Sequence, residues 1–281
     1  MSEVVLITGC RSGFGLGTAV AAARAGFTVY AGLRDLASAG SLEAAAAGLD
    51  VTPLQLDVTR ADERDAAVAR ILDERGRLDH VVNNAGIAVG GFLEQLEQDE
   101  LRHLFEVNVF GAWAMTKACL PALREGGGGS VVMVSSMSGR MALPTLGAYA
   151  GSKFALEAFG EAWRHELKPF AIRVVLIEPG AYRTDIFERN RNVCRRFDDP
   201  EGPYHPWVRQ GNRLHQRIVD HLARDPAEVC DHIVRCLQDP RPALRHPIGP
   251  LAGPRATLRQ FVPFAAVELI MERLLSWARE D

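Results

Sequence analysis

Glu3-Val4-Val5-Leu6-Ile7-Thr8-Gly9-Cys10-Arg11-Ser12-Gly13-Phe14-Gly15 passes from a short apolar run through a glycine turn into a helical run that reaches Arg24. An unbroken apolar stretch of this length reads as a parallel strand buried on both faces. Glycines between such a strand and a helix let the backbone approach a pyrophosphate, whose charge then meets the free N–H groups of the helix N-terminus. The spacing is G-x-x-x-G-x-G rather than G-x-G-x-x-G, and a glycine turn alone can be no more than a tight turn. Its place between strand and helix favours dinucleotide binding.

The same alternation continues outward. Runs at 28–33, 51–56, 78–82, 130–135 and 172–177 are expected strands, with 243–248 as a candidate seventh, and helical patterns fill 38–48, 61–76, 97–124, 149–169 and 225–239. Strands alternating with helices imply a parallel, doubly wound α/β sheet with right-handed crossovers. About seven strands are expected, in a single Rossmann-type domain over 1–281. The alternation breaks after Thr184, where residues 185–225 are polar, arginine-rich and marked by Pro200, Pro203 and Pro206. An insertion of that length in a compact domain reads as a substrate lid. Residues 254–279 read as a C-terminal helical segment covering core or a partner subunit.

Where the second strand ends, Leu33 stands in the place of the acid that would accept from adenosine ribose hydroxyls, and Arg34-Asp35 follows. An arginine there favours a 2′-phosphate, and Arg11 can approach the same corner, so NADP(H) is preferred over NAD(H), which remains possible. The alternative is that Arg34 is a solvated loop charge and Asp35 turns back to the ribose.

Tyr149-Ala150-Gly151-Ser152-Lys153 opens a helical run, and residues four apart share a helix face. An ammonium beside a phenol favours the phenolate, which makes the pair a candidate proton donor and acceptor. Ser136 lies 13 residues upstream, at the end of an apolar run.

Composition excludes several classes. With 281 residues, 47% apolar and 24% charged content and a net charge of −3, the chain is an ordinary globular one with no general pull toward nucleic acid or anionic membrane. No signal peptide and no membrane-spanning run is visible. The five cysteines are scattered, as expected of free thiols in a reducing cytoplasm. Cys230-x-His232-x-x-x-Cys236 lacks a second ligand pair, so no metal is expected.

Taken in order, Thr8-Gly9-x-x-x-Gly13-x-Gly15, Asp57, Asn83-Asn84-Ala85-Gly86, Asn108, Ser136, Tyr149-x-x-x-Lys153 and Pro179-Gly180 with Thr184 resemble the signatures of the short-chain dehydrogenase/reductase family, over roughly residues 3–250. The stretches Val29–Leu36 and Ser152–Glu157 are most similar to its 17β-hydroxysteroid and retinol dehydrogenase branch. The resemblance implies that Tyr149 is the acid in carbonyl reduction and the base in alcohol oxidation. It implies further that Lys153 lowers the tyrosine pKa and holds the nicotinamide ribose, that Ser136 polarises the substrate oxygen, and that Asn108 positions a water. Cofactor contacts implied are Gly9, Arg11, Ser12, Gly13, Phe14, Gly15, Arg34, Asp35, Asp57, Val58, Asn83, Ala85, Gly86, Tyr149, Lys153, Pro179, Gly180 and Thr184. A homodimer or homotetramer pairing through the helices at 97–124 and 149–169 is also implied.

Met137, Met141, Leu143, Leu146, Tyr182, Ile186, Tyr204 and Trp207 are the expected pocket walls, each of which could equally be plain packing. They favour a small hydrophobic ketone, aldehyde or secondary alcohol. The arginines of the lid read as solvated charges paired with Asp185, Glu188 or Glu201, with an anionic substrate tail as the alternative. Two other readings stand beside the alcohol dehydrogenase: a non-catalytic NADP(H)-binding sensor on the same fold, and a reductase of an imine or alkene.

Overall fold

Strand β1 (Val4–Ile7) is buried along its whole length. Val4 and Leu6 enter the core on one face, and Val5 and Ile7 the core on the other, as the two-residue period of a strand requires. This two-sided burial is why the strands read as unbroken apolar runs. The computed structural model describes residues 2–184, 192–250, 252–253 and 262–276.

From β1 the chain runs through α1 (Gly13–Arg24), β2 (Thr28–Leu33), α2 (Gly40–Ala45), β3 (Val51–Gln55), α3 (Ala61–Arg75) and β4 (His80–Asn83). A two-residue strand β5 (Val89–Gly90) precedes α4 (Gln98–Phe105) and α5 (Ala112–Glu125), followed by β6 (Gly129–Val134), α6 (Gly147–Glu166) and β7 (Ile172–Pro179). After 191 come β8 (Asn192–Val193), α7 (His205–Leu222), α8 (Ala227–Gln238), β9 (Arg245–Ile248) and α9 (Phe264–Ser276).

Seven strands form one parallel sheet in the order β3-β2-β1-β4-β6-β7-β9. The chain starts in the middle, winds to one edge, then returns across β1 to build the other half. The order reverses between β1 and β4, and the crevice at their carboxyl ends is where such a sheet admits a ligand. One face carries the core of Leu6, Tyr30, Ile71, Met115, Leu123 and Leu156, the other that of Ile7, Val29, Ala19 and Ile233. Helix α6 lies so close to β7 that a Cβ on Gly160 would stand 2.7 Å from Leu176 Cδ2.

The structure corrects the sequence reading in several places. The run at 97–124 is not one regular helix: Glu106–Gly111 between α4 and α5 is a π-helical segment. The alanine-rich run at 38–48 makes only a 3₁₀ turn and the short α2. Within 185–225, β8 pairs with β5 in a two-stranded sheet, an element that two residues on each side could not announce. Ile186 lies outside the described residues, and of 254–279 only α9 is described.

Asp79 ties the first strand to the middle of the sheet. Its carboxylate is buried, accepts from the Val4 N–H at 2.7 Å and is gripped by Arg77 at 2.6–3.1 Å. Its carbonyl accepts from Ser130 N–H at 3.0 Å, which adds β6. Asp79→Ala strands the Val4 donor, and urea denaturation should show a loss of about 1–3 kcal/mol with an unchanged slope.

Candidate active site

At the switch point Thr8 and Asn84 lace the ends of β1 and β4 together. Thr8 Oγ1 accepts from the N–H groups of Asn84 (3.0 Å) and Ala85 (2.9 Å), while Asn84 Nδ2 donates back to the carbonyls of Thr8 and Gly9. The turn has no room for side chains: a Cβ on Gly15 would lie 2.3 Å from the Gly9 carbonyl oxygen, and one on Gly9, at φ +72°, 2.8 Å from Ala85 Cα. Ser12 enters α1 in an extended conformation without a side-chain cap, so the helix opens with donors its own N-cap does not use. Above this turn lies a cavity of about 740 Å³.

At one end of the cavity Arg11, Arg34, Asp35, Asp57 and Val58 line the wall with Leu33 and Thr59. Asp35 is engaged by its own turn, accepting from Ala37 N–H at 2.9 Å, and Asp57 likewise accepts from Thr59 through N–H and hydroxyl. Arg11 and Arg34 are exposed. Gly9, Ser12, Gly13, Phe14, Ala85, Gly86, Pro179, Gly180, Tyr182 and Thr184 complete the expected wall residues found there.

Toward the middle of the cavity Ser136, Tyr149 and Lys153 converge. Ser136 follows β6 and its hydroxyl accepts from Ser138 N–H at 3.0 Å, fixing the turn. Tyr149 sits in the first turn of α6, hydrogen-bonded to Ser136. Lys153 is one turn further, donating to the Val134 carbonyl at 2.9 Å with its Nζ 5.7 Å from the Tyr149 ring centroid. Burial dominates both groups. It pushes the phenol up to about 12 against the Ser136 hydrogen bond, and the ammonium down to about 8 against the favourable Glu157 carboxylate. The sequence reading had Lys153 pulling the phenol toward neutral pH. In this geometry desolvation of the phenolate dominates, and the Ser136 hydrogen bond is what opposes it.

Asn108 lies in the π-helical segment, buried, with Oδ1 accepting from Ile87 N–H (2.8 Å) and Nδ2 donating to the Ile87 carbonyl (2.9 Å) and Ser152 Oγ (3.0 Å). A Cβ on Gly86 would stand 3.3 Å from Asn108 Oδ1 and 3.7 Å from Lys153 Nζ, so the three meet beside the cavity.

A model of the short chain dehydrogenase family matches residues 3–194. The chain belongs to the short-chain dehydrogenase family. It is 37% identical over 259 residues to human 17-beta-hydroxysteroid dehydrogenase type 1, covering 86% of this chain and 76% of that protein. A crystal structure of a short-chain dehydrogenase from Streptomyces avermitilis superposes with a TM-score of 0.81 at 34% identity, covering 100% of this chain and 99% of the other. A 3-ketoacyl-(acyl-carrier-protein) reductase from Brucella melitensis, solved with NADH, gives 0.71 at 26% identity, over 86% of this chain and 94% of that one.

In this short-chain dehydrogenase several sequence expectations are displaced. Asn83 is buried below the crevice, its amide donating to Thr116 Oγ1 at 2.8 Å, and the neighbouring Asn84 lines the cavity instead. Met137, Met141, Leu143 and Leu146 are half-buried outside the cavity wall. Tyr204 stacks on Phe92 and donates to Glu94, and Trp207 is exposed, so neither reaches the cavity. Tyr182 reaches the wall, but its hydroxyl donates to Glu228 at 3.0 Å. Among the described residues Arg195 pairs with Asp99, and Arg196 with Glu97 and Asp199; the expected partners Asp185 and Glu188 lie outside the described residues. Sequence reading missed Ile87, Ala88, Val89, Glu100, His103, Val107, Asn192 and Val193 on the wall. The β5–β8 pairing delivers Val89, Asn192 and Val193, and no local motif signals it. Glu178 was legible as an acid closing an apolar strand; burial and the neighbouring Glu157 push its carboxyl up to about 7.

Proposed function

We propose that this single-domain short-chain dehydrogenase is an NADP(H)-dependent enzyme that interconverts a hydrophobic secondary alcohol and its ketone, or an aldehyde, with Tyr149 as acid and base. The carrying observation is the Ser136–Tyr149 hydrogen bond inside the cavity, with Lys153 one turn along the same helix. Two hydroxyls converging on one point suit a single substrate oxygen. In reduction the Tyr149 phenol gives its proton to that oxygen as negative charge develops, while Ser136 donates to it. In oxidation the phenol takes the proton back. Lys153 adds positive charge beside the phenol, and Asn108 positions the Ile87 main chain that walls this end of the cavity.

The residues at the glycine turn fit a dinucleotide: Gly15 and Gly9 allow the close backbone approach and α1 offers uncapped donors to a pyrophosphate. When bound, a nicotinamide supplies or accepts the hydride. The NADH bound to the Brucella reductase supports a nicotinamide cofactor. Preference for NADP(H) is supported by the exposed Arg11 and Arg34 on the wall and by Leu33 in the acid's place, with Asp35 occupied in its own turn. Substrate hydrophobicity is supported by Ile87, Ala88, Val89, Val107 and Val193 around the cavity and by the steroid dehydrogenase relative. Exposed Phe110, Trp113 and Phe154 support pairing of two copies through this helical face. The five cysteines are free, which supports a reducing cytoplasmic setting, and no described helix is long and apolar enough to cross a membrane.

Tyr149→Phe should lower kcat/KM about 100- to 10,000-fold while the affinity for NADP+ changes little. Following nicotinamide absorbance with a ketone panel, together with calorimetric titration of NADP+, measures both. Undiminished turnover would remove Tyr149 from the reaction. The pH profile has a defined sign: Tyr149 is protonated and Lys153 charged below about 8, so reductive kcat/KM is flat there. Above it the rate falls about tenfold per pH unit as Lys153 loses its proton. Arg11→Ala with Arg34→Ala should weaken NADP+ binding about 10- to 100-fold and leave NAD+ nearly unchanged, as loss of charge-assisted phosphate bonds requires. Equal losses for both cofactors would overturn the preference.

A further inference from the structure

His232 and Cys236 lie one turn apart on α8, and His246 projects from β9 at the sheet edge. One ligand-capable atom of each lies within 4.8 Å of the other two. Cys236 is 3% exposed and both imidazoles are half-buried, so the group sits under the surface, reachable from solvent. Cys230, on the same helix, is directed elsewhere: its thiol faces the Phe14 carbonyl at 3.6 Å. Sequence alone offered no further ligand for the Cys230-x-His232-x-x-x-Cys236 pattern, and the fold supplies one.

The hydrogen bonds fix which lone pairs are offered. The Arg235 guanidinium can only donate, so His232 Nδ1, 3.1 Å away, accepts. His232 therefore carries its proton on Nε2 and donates to His246 Nδ1 at 2.8 Å, and His246 Nε2–H donates to the Ala243 carbonyl at 3.0 Å. His246 is thus anchored through one nitrogen to a main-chain carbonyl with the other turned inward, as metal-ligating histidines are held. With one nitrogen of each ring accepting a hydrogen bond, both rings are neutral in this arrangement. Charges of both signs face the group, Arg235 and Arg164 against Glu228 and Asp239.

We propose that His232, Cys236 and His246 form a binding site for a borderline-soft divalent cation, with Zn²⁺ as the fitting ion, completed by one solvent ligand. Two nitrogens and one sulfur match zinc, and three protein ligands leave a fourth tetrahedral position open. On binding, Cys236 releases its proton to solvent and bonds through the thiolate. The His232 proton moves from Nε2 to Nδ1, and the exposed Arg235 side chain swings aside. The two ring nitrogens need separate only from 2.8 Å to about 3.3 Å, the spacing set by two bonds of about 2.05 Å at a tetrahedral angle. The ion would clamp α8 to the sheet edge. Because α8 packs on α1, where Cys230 Sγ would stand 2.6 Å from a Cβ on Gly17, the clamp braces the helix that opens the cofactor turn. This site does not depend on the oxidoreductase reading.

Cobalt is the probe. The tag-free full chain, stripped with a chelator, is titrated with Co²⁺ and then with Zn²⁺. One equivalent of Co²⁺ should bind with the visible bands of a tetrahedral site and a near-ultraviolet thiolate-to-cobalt band, and Zn²⁺ should displace it. Cys236→Ser should abolish the near-ultraviolet band and weaken Zn²⁺ binding by about a hundredfold, at least what loss of an outer partner costs. Cys230→Ser should leave both unchanged. His246→Gln gives a second reading of affinity, and circular dichroism verifies the fold of each variant. No binding near stoichiometry by the unmutated chain, uptake without a thiolate band, or a band that survives Cys236→Ser would each overturn the site.

Discussion

The approach of the Gly9 carbonyl to α1 at Gly15 is the constraint from which the site follows. A side chain at either glycine would force the ends of β1 and β4 apart, and with them the lacing between Thr8 and Asn84. Those bonds join residues 76 apart in sequence. They are possible because the strand order reverses between β1 and β4, so the crevice at that reversal lies over a turn with nothing to fill it but hydrogen. The two-sided core supports this turn from below and leaves its upper side to a ligand.

Along α6 the deciding force is loss of water rather than proximity of charge. A phenol and an ammonium one turn apart in water would each titrate near the ordinary value. Inside the cavity wall both are driven toward their neutral forms, the lysine to about 8 and the tyrosine to about 12. Glu157, the next turn along, holds part of the lysine's charge in place. Glu157 is itself bound into a buried cluster with Glu178, Arg140 and Arg245, whose nearest pairs span 3.0–3.5 Å. Removing one member would leave an uncompensated charge under the Ser136 turn.

The inner strands of the sheet were legible because strands buried on both faces cannot alternate and stand out as continuous apolar stretches, while the half-buried edge strands β3 and β9 carry polar residues. Tyr149 and Lys153 were legible as a pair on one helix face because helix periodicity is local, whereas their roles and the choice of Ser136 came from the resemblance to the family. What sequence could not carry was contact between distant segments. Asn83 and Asn84 are adjacent and chemically identical, yet one faces Thr116 and the other the cavity, a choice made by strand pleat and register. Val89 and Val193 reach the cavity's apolar wall through a pairing of residues 89–90 with 192–193. Arg195 and Arg196 reach across to Asp99 and Glu97 at the start of α4, and Arg196 also meets Asp199 three residues on. The π-helical segment has no signature in apolar spacing, since Asn108 is held by the main chain of Ile87, 21 residues away.

That segment joins the chemistry of the cavity to the packing beneath it through a residue count. Its wider turns accommodate an additional residue compared with a regular helix over the same rise. Each residue advances a helix by about 100°. Shortening the segment by one position would therefore present Met115, Cys119 and Leu123, all fully buried, to a different side. Asn108 can face Ile87 while α5 keeps its seam on the sheet only because the two are out of phase by that one position. Length here is as tightly specified as identity.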